Sequence, residues 1–232
     1  GTGFNAAPVF HTSAGRYVPP SEIGHARIAA ANAEQAEVVA HIQAIEGFAS
    51  NEHLLAGRGL ERLDHALNNR QDRTASQIMT AAGNGDDTAI SVAQMQARFA
   101  GSVYGDMALA NLPFGGLYLI GGVARALEPY LSSDIFAHSF RDKGRFGPFN
   151  EQFSVHLVLD DFAALKGCAS YIMSPGGGRL FRPPVASPPR PVRPSGSAPR
   201  PSGPAAAQSA AEPRLKPPGR RAAGGPGPGH RA

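Results

Sequence analysis

The sequence has one cysteine, Cys168, and no tryptophan. A single thiol excludes an internal disulfide framework, which suits a reducing compartment such as the cytoplasm. No run of 18 or more apolar residues occurs, so no segment reads as a spanning helix. No basic segment followed by an apolar one opens the chain, so no secretory signal is read. An initiating methionine is also lacking, and the chain is expected to be a fragment of a longer protein.

Acidic residues are almost absent from the last 59 positions, which carry ten Lys and Arg against one Glu. The first 173 residues carry twelve Lys and Arg against seventeen Asp and Glu, a balance of −5. The basic character of the whole chain therefore belongs to its tail, and an acidic body argues against nucleic-acid binding. Large apolar residues are almost absent after Val192, Leu215 being the exception, while 15 of the 21 prolines lie beyond residue 173. Such a segment has nothing with which to bury a core. Two domains of unequal kind are expected: a folded body, 1–173, and a disordered Pro/Arg/Gly/Ala-rich tail, 174–232.

Within the body, residues 21–57 hold the densest chemistry. S-E-I-G-H stands at one end and N-E-H-L-L-A-G at the other. Glu22, His25 and Glu52 supply two carboxylates and an imidazole, with an amphipathic helix expected over 32–45 between them. Carboxylates accept hydrogen bonds from polyol hydroxyls, and imidazole donates or accepts one more. Glu and His in loops are most often solvated surface groups, so spacing alone leaves both readings open. Glu52 also has a structural reason to be where it is, because Ser50 is placed to cap a helix whose first turn favours a carboxylate.

The remaining pattern is mixed α/β. A Gly-Thr-Gly turn at the start leads into an expected strand, and a second short strand is expected over 16–18. Asn32 caps the 32–45 helix with Gln35 as its capping-box partner, and its apolar face is expected through Ala36, Val39, Ala40 and 42–44. Gly47 ends it. Gly57 and Gly59 are expected to break the chain before a helix striped by Leu60, Leu63 and Leu67. Thr74 caps a short helix ending near Gly83. The longest periodic stretch is 87–112, with Met95, Phe99, Val103 and Met107 on one stripe. An apolar run, 117–120, sits between glycine pairs and reads as a buried strand of a parallel sheet, with Gly121 and Gly122 at its carboxyl end. Short helices over 126–131 and 134–140, a charged loop over 142–148, a strand over 153–159 and a helix over 162–173 complete the body. That last helix carries an apolar stripe through Leu165, Ala169 and Ile172.

Several blocks, in this order, resemble the bacterial glucokinases of the hexokinase/actin-like ATPase superfamily. They are G-T-G-F-N, S-E-I-G-H, N-E-H-L-L-A-G-R-G-L-E-R-L, F-G-G-L-Y-L-I-G-G-V-A-R and F-R-D-K-G-R-F. The resemblance implies a partial fold of that superfamily, its large domain and C-terminal helix, lacking the N-terminal small domain. It implies phosphoryl transfer from ATP, with Mg²⁺, to the 6-hydroxyl of glucose. Glu22, His25 and Glu52 would then bind glucose; Gly1, Thr2 and Gly3 would contact the phosphates, and Gly121 and Gly122 the adenosine. A homodimer of the full-length protein in the cytoplasm is implied, with no membrane and no specific nucleic acid.

Two departures from the family stand out. Ile23 occupies a position where the family has glycine between the Glu and His of the sugar motif. The family's catalytic base, an Asp preceded by Asn, and its Asp-Gly-Gly-Thr phosphate loop would both lie upstream of Gly1. No residue here is therefore assigned as the base, and His11, His25 and His53 are not promoted to it. The fragment alone is expected to be inactive. The alternative reading is a non-catalytic sugar-binding or regulatory protein on the same fold. The tail is read as a frameshift or read-through product of a GC-rich gene. A natural disordered segment and a proline-rich ligand are the other readings.

Overall fold

The computed structural model describes residues 3–13 and 15–173. Gly1 and Thr2, named above for phosphate contact, and the tail expected over 174–232 lie outside the described residues.

The first residues run without regular structure to a small exposed hairpin. Its strands are β1 (Phe10–Thr12) and β2 (Gly15–Tyr17), antiparallel, with Phe10 opposite Tyr17. The strand after the opening turn is thus shorter and later than expected. Residues 4–6 direct hydrogen bonds to side chains instead of to a neighbouring strand.

α1 (Ala33–Glu46) starts at Asn32, whose Oδ1 accepts from the Gln35 N–H at 2.9 Å. The Gln35 side chain closes back one residue further than a capping box would, on the Ala31 N–H at 2.7 Å. Gly47, at φ 75°, ends the helix in the left-handed region. Its buried positions are Gln35, Val38 and Ile42, while Ala36, Ala40 and Ala44 face water. Of the face expected from the sequence, Ile42 and the partly buried Val39 pack against the core, while its alanines do not. The bulkier Val38 and Ile42 remove more apolar surface from water and set the rotation of the helix.

α2 (Asn51–Leu55) and α3 (Gly57–Asn68) meet at a corner at Ala56. Gly57 and Gly59 lie inside the first turn of α3 rather than before it. A side chain at Gly59 would collide with the Leu54 carbonyl, so glycine permits the tight corner instead of ending a helix. α4 (Ala75–Gly83) carries the Thr74 cap, and Asp86 caps α5 (Asp87–Asn111), accepting from the Ala89 N–H at 2.8 Å.

α5 is the spine. Met95, Phe99 and Val103 are buried along the predicted stripe, with Val92, Ala93, Ala97 and Ala100 beside them. Each large side chain so buried contributes about 1.5–3 kcal/mol. α2, α3 and α4 pack against α5, and α8 (Asp134–Arg141) lies along it most extensively. The reason for that closeness is Gly101 and Gly105, one turn apart. A Cβ on Gly101 would stand 2.6 Å from the Phe136 carbonyl oxygen, and one on Gly105 would stand 2.5 Å from that of Phe140. The loop between α3 and α4 is fixed by an ion pair. Arg73 donates to Asp64 Oδ2 at 2.8 Å and Oδ1 at 2.7 Å, and Asp64 also accepts from Asn68 at 3.0 Å.

β3 (Leu117–Ile120) pairs in parallel with β4 (Val155–Val158), Leu117 opposite Val155. Between them run α6 (Gly122–Ala126), α7 (Glu128–Leu131), α8, a 3-10 turn (Gly144–Phe146) and α9 (Gly147–Asn150). The segments expected as one helix over 126–131 and as a loop over 142–148 are thus divided into short turns of helix. β3 is covered on one face only, with Tyr118 and Ile120 both 61 % exposed. The sequence reading of a strand buried on both faces is corrected to that extent. α10 (Ala163–Met173) follows Asp160, whose Oδ1 accepts from the Phe162 N–H at 2.9 Å, and shows no buried residue. Among the described residues no helix is long and apolar enough to cross a membrane.

Candidate functional site

S-E-I-G-H folds as a 3-10 turn, Ile23–His25, preceded by Glu22. Glu22 makes no capping bond, Ser21 Oγ accepts from the Ile23 N–H at 3.3 Å, and the rest of the turn is held from outside. Asn51 Nδ2 donates to the Ile23 carbonyl at 2.9 Å, and the Asn51 N–H donates to the Ala26 carbonyl at 2.9 Å. Asn51 is buried and directly precedes Glu52. One side chain and one backbone amide thereby lay the two acidic blocks side by side, with the Ile28 N–H bonded to the Ala49 carbonyl extending the junction.

The opening segment is bound to both blocks. Asn5 Nδ2 donates to the Ser21 carbonyl, and its Oδ1 accepts from the Gly24 N–H at 3.3 Å. The Phe4 N–H donates to Glu52 Oε2 at 3.1 Å. The Phe4 ring stacks on Tyr104 of α5 at 6.0 Å between centroids, which anchors the segment to the spine. Gly24 is buried under this crossing, and any side chain there would run into the Phe4 carbonyl oxygen. Ile23, by contrast, occupies an exposed position and leaves the crossing undisturbed.

Glu22 and His25 point to water. Their side chains are 81 % and 67 % exposed, with His25 Nε2 4.0 Å from Glu22 Oε2, beyond hydrogen-bond reach. Their polar atoms therefore face water with no hydrogen bond between them. Glu52 is half-buried and sits in the first turn of α2, where the helix dipole favours a carboxylate. His53 is absorbed by capping: its ring Nδ1 accepts from the Ser50 N–H at 3.1 Å, and Ser50 Oγ accepts from the His53 N–H at 3.3 Å.

Gly121 and Gly122 lie at the carboxyl end of β3. Gly121, at φ 119°, turns the chain into α6 in a conformation that side chains resist. Val123 of α6 comes to 3.6 Å from where a Cβ on Gly57 would be, so this turn abuts the start of α3. Arg125 then pairs with Asp161 at 2.7 Å, tying α6 to the segment before α10.

Asn5 and Asn51 are the residues that sequence reasoning missed as organisers. Asn5 closes the first of the quoted blocks, but nothing in its local sequence says what its amide will meet. A separate groove of about 420 Å³ is lined by Asn32, Gln35, Arg98, Ser102, Asp134 and His138, between α1, α5 and α8. None of the residues predicted for function lines it.

The glucokinase family profile matches residues 1–175. A curated glucokinase of Chelativorans sp. (strain BNC1) is 30% identical over 181 residues, covering 75% of this chain and 53% of that protein. One of Rhizobium leguminosarum bv. trifolii (strain WSM2304) is also 30% identical over the same shares. The chain spans about half the length of the curated relatives it matches. The crystal structure of a glucokinase from an Antarctic psychrotroph superposes with a TM-score of 0.67 at 30% identity, over 73% of this chain and 54% of that one. A glucokinase from Balamuthia mandrillaris, solved in complex with glucose, reaches a TM-score of 0.56 at 22% identity, over 67% and 47%. It shows the fold alone.

Proposed function

This chain belongs to the glucokinase family, and on that premise we propose that it supplies the glucose-binding and nucleotide-contacting part of an ATP:glucose phosphotransferase. The observation that carries the reading is the junction at Asn51, which sets the turn bearing Glu22 and His25 beside the short helix bearing Glu52. Carboxylates paired with an imidazole suit a ring of hydroxyls, and such charge-assisted bonds are the stronger kind. Glu22, His25 and Glu52 hold and orient the sugar. Residues Gly1, Thr2 and Gly3 approach the phosphates, and Gly121 with Gly122 the adenosine. Mg²⁺ enters on ATP, held by phosphate oxygens and water.

Phosphoryl transfer depends on positioning and on stabilising charge, and none of the residues named here is assigned as the base, so binding without reaction is expected of them alone. The body, 1–173, acts as the large-domain portion and the tail, 174–232, has no part in the chemistry. The working protein is a cytoplasmic homodimer.

Calorimetric titration of the chain with glucose, beside a coupled assay for glucose 6-phosphate, tests this. Weak glucose binding without product formation is expected. Absence of glucose binding at millimolar concentration removes the sugar site; robust product formation removes the division of labour.

A further inference from the structure

We propose that His41 and His65 form a binding site for a borderline divalent transition-metal ion of the Zn²⁺ and Co²⁺ kind, joining α1 to α3. His41 Nε2 stands 3.3 Å from His65 Nδ1, with the rings at 78° to one another. Two imidazole nitrogens at about 2.0–2.1 Å from one tetrahedral ion are themselves about 3.3 Å apart. The spacing that a hydrogen bond gives these nitrogens is therefore also the spacing that chelation needs.

Both ligands stand on regular helices whose adjoining residues are locked. Ile42 and Asp64, the neighbours of the two histidines, are each 1 % exposed. The rings are half-buried, so the backbone that carries them is fixed while their edges reach solvent.

A metal-bound histidine usually donates its other N–H to an outer partner, which fixes its tautomer. Gln71 provides that partner, with its amide 2.8 Å from His65 Nε2. With its NH₂ forward, the amide donates to an unprotonated Nε2, and His65 then carries its proton on Nδ1 and donates to His41. Turned by half a rotation, the same amide accepts from Nε2–H and frees the Nδ1 lone pair. The switch from hydrogen-bonded pair to chelate thus needs one tautomer shift and one amide rotation.

Among the described residues no group of three His, Cys, Asp or Glu stands together. Water completes the coordination, which makes the site exchangeable and of moderate affinity. Imidazole ligation selects Zn²⁺, Co²⁺, Ni²⁺ and Cu²⁺ over Mg²⁺, which demands an oxygen shell. The ion would brace α1 and α3 on either side of the short helix bearing Glu52. The inference does not depend on glucose binding.

The test titrates the chelator-treated chain with CoCl₂, followed by visible absorption, and then displaces cobalt with ZnCl₂. One tetrahedral-type cobalt signal is expected, lost on zinc addition and insensitive to MgCl₂. His41→Ala and His65→Ala should each weaken binding at least tenfold, and Gln71→Leu about tenfold. His11→Ala and His138→Ala should leave it unchanged. His41→Gln serves in place of the alanine variant if that chain is poorly folded by circular dichroism. Zinc should raise the melting temperature of the parent chain but not of the His41 variants. Unaltered affinity in both His41 and His65 variants, or no cobalt signal at millimolar metal, overturns the proposal.

Discussion

Glu52 Oε2 accepts the backbone N–H of Phe4 at 3.1 Å, across 48 positions of sequence. One carboxylate therefore holds the opening segment at Phe4 while standing beside the S-E-I-G-H turn. Gly3 lies against the same side chain, where a Cβ would stand 2.8 Å from Oε2. Among the described residues Glu22 and His25 make no such bond to the opening segment, and the three residues should respond differently to substitution.

For Glu22→Gln and His25→Ala the expected outcome is a selective loss of glucose affinity. Losing one hydrogen bond to a charged group costs about 1.5–3 kcal/mol, roughly ten- to 150-fold in the dissociation constant. Their exposure predicts an unchanged melting temperature. Glu52→Ala should weaken glucose and nucleotide together, because it also releases Phe4. Calorimetry with glucose and with an ATP analogue separates the cases; parallel losses in all three variants would assign Glu22 and His25 to structure.

Asp64 and Arg73 make the most buried ion pair of the fold, with side chains 1 % and 9 % exposed. Burial works against the ionised carboxyl, but hydrogen bonds from Arg73 and Asn68 outweigh it and hold the Asp64 pKa below its ordinary value. A depressed carboxylate stabilises the fold above its unfolded pKa, near 3.9, and that contribution disappears as pH falls through the lower folded value. Urea midpoints should therefore fall below about pH 4, and Asp64→Asn should flatten that part of the profile. Removing one partner of a buried pair costs about 3–5 kcal/mol, so the variant should be less stable throughout at neutral pH.

Gly101→Ala and Gly105→Ala should each destabilise by about 1–3 kcal/mol, because the methyl group forces α5 and α8 apart. Gly83→Ala is the contrast. A Cβ there meets nothing within 4 Å, and alanine gains up to about 1 kcal/mol from helix propensity. Denaturation of the three variants decides it: equal effects would mean that the α5–α8 contact is looser than described.

Leu165 and Ile172 of α10 are 68 % and 66 % exposed, and Tyr118 and Ile120 of β3 are 61 % each. Exposed apolar surface of this extent favours association. Sedimentation should show concentration-dependent self-association of the chain, reduced in a Leu165→Glu, Ile172→Glu variant. A monodisperse monomer at high concentration would contradict the expectation.

Caps and long periodic stretches were legible before any coordinates. Asn32, Ser50 and Thr74 each act through a backbone N–H three residues away, so four consecutive residues contain the whole interaction. The stripe of Met95, Phe99 and Val103 was readable because helical period and burial coincide on α5. The quoted blocks also placed Glu22, His25 and Glu52 as candidates. Only the tertiary structure decided which face of α1 is buried, since its alanines and its larger apolar residues offer two stripes and volume chooses between them. It alone showed Gly59, Gly101 and Gly105 as points of close approach, because the atoms they avoid belong to other elements. Asn5 and Asn51 became visible there for the same reason. Their amides bond to carbonyls 16 and 28 positions away, and a hydrogen bond between distant residues leaves no periodicity in the chain that makes it.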